Sequence, residues 1–275
     1  MAQIKFLSGF PALEPWMPIS SMYSGDVQTP TATSFTVLNP NGTSVVFHGQ
    51  FTVTGGVITG GTMTGFDAFH GSTKVLSGKG LQVSATDLLA SIDTFQGSGS
   101  SLPLFDNLHE GVTKIIGSNL DDAISGPGGN ATLIGKAGND RLWGAEGNEV
   151  IKGGDGNDQV SGGQGADTLW GNEGRDTFLF WDTLQVDRVK DFNPKEDLIA
   201  LDKADFAVLG AGYVDKSEFA IGKAAESADA HLIYDRKGGG LYYDVDGIGG
   251  VAQIQIAQLT KGLKLKANDF ILVDD

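Results

Sequence analysis

The sequence predicts an almost all-β protein in three parts: a β-rich N-terminal domain with one short helix at 1–116, a parallel solenoid of short strands at 117–179, and a β-rich C-terminal domain at 180–275. Three observations carry this. Residues 117–179 are seven consecutive nine-residue units, each opened by glycine. Residues 251–259, VAQIQIAQL, alternate apolar and polar side chains with the period of a strand. Residues 35–66 break into β-branched and aromatic runs, punctuated by the turn formers Asn-Pro-Asn-Gly and two Thr-Gly-Gly steps.

In register, the seven units read GSNLDDAIS, GPGGNATLI, GKAGNDRLW, GAEGNEVIK, GGDGNDQVS, GGQGADTLW and GNEGRDTFL. Glycine also fills position four in every unit but the first, where Leu120 stands. Glycines at positions one and four permit turn conformations that a side chain would forbid. Positions seven to nine then make a minimal strand whose middle residue points inward. That residue is always apolar: Ile124, Leu133, Leu142, Ile151, Val160, Leu169 and Phe178. Two units close one coil, so each unit stacks on the second one along, at the ~4.8 Å strand spacing. A flexible glycine-rich linker would have no reason to hold apolar residues at this fixed spacing.

Position six is acidic in six of the seven units. Stacking places Asp122, Asp140, Asp158 and Asp176 along one edge, and Ala131, Glu149 and Asp167 along the other. A column of carboxylates repels itself unless cations lie between the turns. Carboxylates with turn carbonyls are hard oxygen donors, which suit Ca²⁺. With no Cys and only four scattered His, zinc has no support.

These units resemble the RTX, or hemolysin-type, nonapeptide repeat, GGxGxDxUx, which forms a calcium-binding parallel β-roll. GGDGNDQVS and GGQGADTLW are the best matches. The resemblance implies ions between successive turns of one edge, held by both position-six carboxylates and by turn carbonyls. Carried over, the strongest sites are Asp140/Asp158 and Asp158/Asp176, with carbonyls from Gly135, Ala137, Gly153, Asp155, Gly171 and Glu173. Asp122/Asp140 is weakened by Leu120, and Glu149/Asp167 has an altered reach. Ala131 breaks the second edge, so three or four ions of unequal affinity are expected.

Net charge is −15, concentrated in the repeat and beyond it. Such a chain repels nucleic acid and, unless divalent ions bridge them, anionic lipid. The first twenty residues hold three prolines and no apolar run of the length a signal peptide needs. No stretch approaches 18 apolar residues, so no membrane-spanning helix is expected.

In the C-terminal part, HLIYD and LYYDV flank RKGGG, the pattern of a hairpin with a glycine turn. Ala252, Ile254 and Ile256 are expected on one strand face, with Gln253 and Gln255 on the other. Asp187, Asp191-Phe192, Asp197-Leu198-Ile199, LYYDVDG, the QIA strand and the final DFILV resemble the serralysin-like C-terminal target domain of type I-secreted RTX proteins. The resemblance implies an uncleaved signal read by an ABC-type exporter, and hence an extracellular protein. DVDGIGG at 244–250 lacks the Glu that an EF-hand needs and reads as a tight acidic turn.

Residues 1–116 carry less chemistry. Ser84, Leu88, Leu89, Ile92 and Phe95 predict a capped amphipathic helix over 84–95, with a QGSGSS linker at 96–101. There is no HExxH and no GxSxG. His48, His70 and His109 are far apart in sequence and read as structural, and Asp67 and Asp106 as solvated acids. Trp143 and Trp170, both at position nine, are expected to point outward on opposite faces, either covering a junction or meeting a sugar or partner.

The energetics fit a folding switch. At ~1 mM Ca²⁺ and a Kd of ~10⁻⁴ M, each site stabilises by roughly 1.4 kcal/mol. Three or four sites give about 4–6 kcal/mol, comparable to a domain's whole stability. The sequence thus reads as a secreted, non-enzymatic calcium-binding protein that folds after export and meets a polysaccharide, matrix or cell-surface partner. The alternative is a carbohydrate-active enzyme: a polysaccharide lyase or an epimerase-associated module.

Overall fold

A computed structural model describes residues 2–6, 26–27, 30–38, 43–54, 57–70, 73–84, 112–117, 119–181 and 185–274. The chain divides into two compact units, Met1–Pro127 and Gly128–Asp275. The described residues are nearly all β, with one 3₁₀ turn at Ala267–Asp269.

The first unit contains β1 (Ala2–Phe6), β2 (Asp26–Val27), β3 (Ser34–Leu38), β4 (Thr43–Thr54), β5 (Val57–His70), β6 (Thr73–Ser84), β7 (Val112–Ile116) and β8 (Ala123–Ser125). Seven of these form a sheet in the order β2-β3-β4-β5-β6-β1-β7, antiparallel except between β1 and β7. Val45, Phe47, Phe51, Met63 and Phe66 are its buried face. The short strands expected over 35–66 are instead long, 12 residues in β4 and 14 in β5. The second Thr-Gly-Gly lies inside β5 and is not a turn. A Cβ on Gly61 would come 2.1 Å from the Gln50 carbonyl, so glycine there admits a close cross-strand approach. Two register shifts in the β4–β5 pairing, at 48/49 and 52/53, absorb the remaining irregularity. The helix expected at 84–95 falls outside the described residues, apart from Ser84, which ends β6. The Asn-Pro-Asn-Gly turn and the 96–101 linker also lie outside them.

The second unit is a parallel β-solenoid of about five coils. One sheet stacks β9 (Thr132–Ala137), β11 (Val150–Asp155), β13 (Thr168–Glu173), β15 (Asp187–Val189) and β21 (Ile254–Gln258). The other stacks β10 (Arg141–Trp143), β12 (Gln159–Ser161), β14 (Thr177–Phe180), β16 (Leu198–Asp202) and β22 (Phe270–Val273). The inward column runs Leu133, Leu142, Ile151, Val160, Leu169 and Phe178, all at most 2% exposed. Each such side chain contributes about 2 kcal/mol of burial. Val189 and Ile199 continue it, in register with Leu169 and Phe178.

The last coil comes from far along the chain. Between β16 and β21 lie β17 (Gly212–Tyr213), β18 (Phe219–Ile221), β19 (Leu232–Tyr234) and β20 (Gly240–Tyr243). The expected hairpin is β19–β20, closed by Gly239 at φ 86°. Strict alternation in 251–259 fails: Ile254 is 41% exposed, while Ile256 and Ala257 are both buried. A bulge opposite Leu241/Tyr242 inserts one residue and reverses the faces. The final DFILV supplies β22, whose Phe270 and Leu272 are buried.

Candidate metal centre

The turns of the second unit show what each glycine does. Position four takes positive φ at Gly138, Gly147, Gly156, Gly165 and Gly174, a conformation that favours glycine. Position two also takes positive φ, at Gly154 and Gly163, but equally at Lys136, Ala145 and Asn172. Position one does not. Its glycines are required for space rather than for backbone freedom, which corrects the sequence-based reason.

A Cβ on Gly153 would lie 2.1 Å from Asp158 Oδ2 and 2.7 Å from the Gly171 carbonyl oxygen. A Cβ on Gly135 would lie 2.1 Å from Asp140 Oδ2 and 2.6 Å from the Gly153 carbonyl oxygen. On the other edge, a Cβ on Gly144 would meet the Gly162 carbonyl oxygen at 2.1 Å and Glu149 Oε2 at 2.9 Å. Each of these three glycines therefore opens a small cradle, lined by its own unit's carboxylate and by a carbonyl from the next coil.

The carboxylates are held in place by the main chain. Asp140 N–H donates to Asp158 Oδ1 at 2.8 Å, and Asp158 N–H to Asp176 Oδ1 at 2.9 Å. On the second edge Glu149 N–H donates to Asp167 Oδ1 at 2.7 Å. All five acids are at most 1% exposed. Asp176 Oδ2 and both Glu149 carboxylate oxygens are buried without a hydrogen bond. Burial, then the charge of Asp167, pushes Glu149 up to about 8, offset in part by the backbone of Ala131. Burial likewise pushes Asp176 up to about 7; the amide of Asp158 opposes this, while the charges of Asp197 and Asp158 add to it.

Asp122 belongs to the first unit and is half-buried. The Asp155 and Glu173 carbonyls accept from Gly138 N–H at 2.9 Å and Gly156 N–H at 2.8 Å, each keeping a second lone pair. Ala137, Asp155 and Glu173 stand side by side in β9, β11 and β13. Ala131 is buried and brings no carboxylate to its edge.

Three features escaped the sequence reading. Both columns continue past the repeat: Asp176 N–H donates to Asp197 Oδ1 at 3.0 Å, and Asp167 N–H to Asp187 Oδ1 at 2.9 Å. Burial raises the pKa of Asp197 as well. Asp191 closes the last turn, accepting from the amides of Gly171 and Asn172 at 3.1 and 3.0 Å. Position five forms an amide ladder, in which Asn130, Asn139, Asn148 and Asn157 accept from main-chain N–H groups 18 residues on. The recurring Asn at position five was a visible signal. The acids at 187 and 197 carry none, because the coil step there is 20 and 21 residues.

Buried carboxylate and carbonyl oxygens, facing a space that a methyl group would fill, fit a hard cation such as Ca²⁺. Among the described residues no three His, Asp or Glu side chains converge on one point, so carbonyls have to complete any shell. In the first unit, His48 Nε2 lies 3.1 Å from Asp67 Oδ2, with His48 45% exposed. His109 and Asp106 lie outside the described residues, as does the side chain of His70.

The model of the RTX calcium-binding nonapeptide repeat family matches residues 116–149, 125–160 and 143–178. No curated protein matches the chain significantly. Among solved structures, the chain is similar to the solution structure of the AlgE6R3 subunit from the Azotobacter vinelandii mannuronan C5-epimerase. That similarity has 26% identity over 58% of this chain and 83% of that one, with a TM-score of 0.22. Residues 116–178 are thus RTX calcium-binding nonapeptide repeats.

Proposed function

We propose that this chain is an extracellular, calcium-folded binding protein. It leaves the cell unfolded through an ABC-type type I exporter and folds in the calcium it meets outside. There it engages a polysaccharide, matrix or cell-surface partner. The observation that carries the calcium step is the set of buried oxygens without a hydrogen bond, Asp176 Oδ2 and both of Glu149, on carboxyl groups that burial pushes toward neutrality. Ionised carboxylates in such a place oppose folding unless a cation balances them. In calcium-poor cytosol the repulsion stands; at ~1 mM Ca²⁺ each site contributes roughly 1.4 kcal/mol.

The export step is supported by the resemblance of 187–273 to a type I target domain. Phe270 and Leu272 are buried in β22, so an exporter reading that segment has to meet it before the last coil closes. The calcium step is tested by far-UV circular dichroism of the full chain in EGTA and during calcium titration. A β-sheet signal that grows cooperatively with calcium is expected, and a spectrum indifferent to EGTA would overturn it. The export step is tested by co-expression with a type I exporter. Full-length protein should reach the medium, and a Phe270→Asp/Leu272→Asp double variant should stay inside.

A further inference from the structure

We propose that a two-tryptophan groove on the second unit binds a neutral oligosaccharide. The groove encloses about 820 Å³, within the size range of small-ligand sites. Trp143 and Trp181 form its sides. Its floor is position three of alternate units, Gly128, Glu146 and Gln164, spanning three coils or roughly 10 Å along the stack. Ala145 and Gly163, at position two, keep the floor shallow.

The two indoles are presented rather than packed away. Trp143 is 47% exposed, a large apolar surface to leave in water. Trp181 is fixed by its Nε1–H, which donates to the buried Ser161 Oγ at 2.5 Å. Ser161 is the cross-strand partner of Trp143, so this bond holds Trp181 close to the other indole. By contrast Trp170, on the opposite sheet, is half-buried with Lys152 Nζ 5.1 Å from its ring centre.

The chemistry selects the ligand. A pyranose has an apolar C–H face, which stacks on an indole, and a rim of hydroxyls. Glu146 and Gln164 are exposed neighbours joined by a parallel bridge, and they offer acceptors and an amide donor to those hydroxyls. Among the described residues that line the groove, Glu146 is the only charged one, and the chain as a whole carries −15. An acidic polymer, whether polyuronate or nucleic acid, is repelled; a neutral glycan is not.

The inference rests on the calcium-folded roll proposed above. Isothermal titration of the full chain in millimolar calcium, with circular dichroism alongside, tests it. The probes are cellohexaose, laminarihexaose and hexagalacturonate. A neutral hexamer should bind, Trp143→Ala should weaken it about tenfold with an unchanged spectrum, and Trp143→Phe should keep most of the affinity. A folded protein that binds no neutral hexamer, binds equally well as Trp143→Ala, or prefers hexagalacturonate overturns the groove assignment. Binding that persists in EGTA upholds the groove and overturns the calcium requirement instead.

Discussion

Replacing Gly153 by Ala adds one methyl group, and the structure says where it goes. Gly153 does not have positive φ, so the backbone accepts alanine, and the loss of unfolded-chain freedom would by itself stabilise by about 0.4–1 kcal/mol. The new Cβ, however, lies 2.1 Å from Asp158 Oδ2 and 2.7 Å from the Gly171 carbonyl oxygen. The methyl therefore occupies the space assigned to the cation and displaces two of its donors. In the proposed arrangement Asp158 serves two sites, so one or two ions are lost, roughly 1.4–3 kcal/mol at ~1 mM calcium. Urea unfolding with calcium and with EGTA, plus calorimetric stoichiometry, measures this. Calcium-dependent stability should fall by that amount, and the ion count by one or two. Gly129→Ala is the control: its Cβ would meet nothing within 4 Å, and it should behave as wild type. A Gly153→Ala protein with full stoichiometry and an unchanged calcium midpoint would refute the cradle.

Three further outcomes are expected. In EGTA, stability should fall as pH rises from about 4 to 8, because the folded pKa values of Glu149 and Asp176 lie above the unfolded ones. Shifts of this size amount to roughly 4–5 kcal/mol each, and a protein that resists urea better at pH 8 than at pH 5 without calcium would contradict the sign. Ala131→Asp should repair the second edge: one more ion by calorimetry, with lower stability in EGTA because another buried acid is added. Leu169→Ala should cost about 2–5 kcal/mol in calcium by urea unfolding, since Leu169 is fully buried in the inward column.

The solenoid was legible because its constraints repeat. Inward Val160 and Leu169, acidic Asp158 and Asp167, and the turn glycines recur at fixed spacing, and stacking then follows from geometry. The role of position-one glycine was misread because a forbidden conformation and a forbidden volume leave the same residue in the sequence. The strain at Lys136 and Ala145 left no trace, since position two is glycine in only two of the five turns from 135 to 174. Asp187 and Asp197 were invisible as column members because the step changes from 18 to 20 and 21 residues. The last coil was equally hidden: Asp187 pairs with Ala257 and Ile199 with Phe270, register contacts that no local pattern encodes. In the first unit, Gly61 looked like a turn residue but serves a close contact inside a long strand.

An anomalous difference map from calcium-grown crystals tests the central claim most directly. Ions should lie beside Asp140 Oδ2 with the Gly153 carbonyl and beside Asp158 Oδ2 with the Gly171 carbonyl, and the edge holding Ala131 should be weaker. Equal peaks along both edges, or no peaks at these cradles, would contradict it.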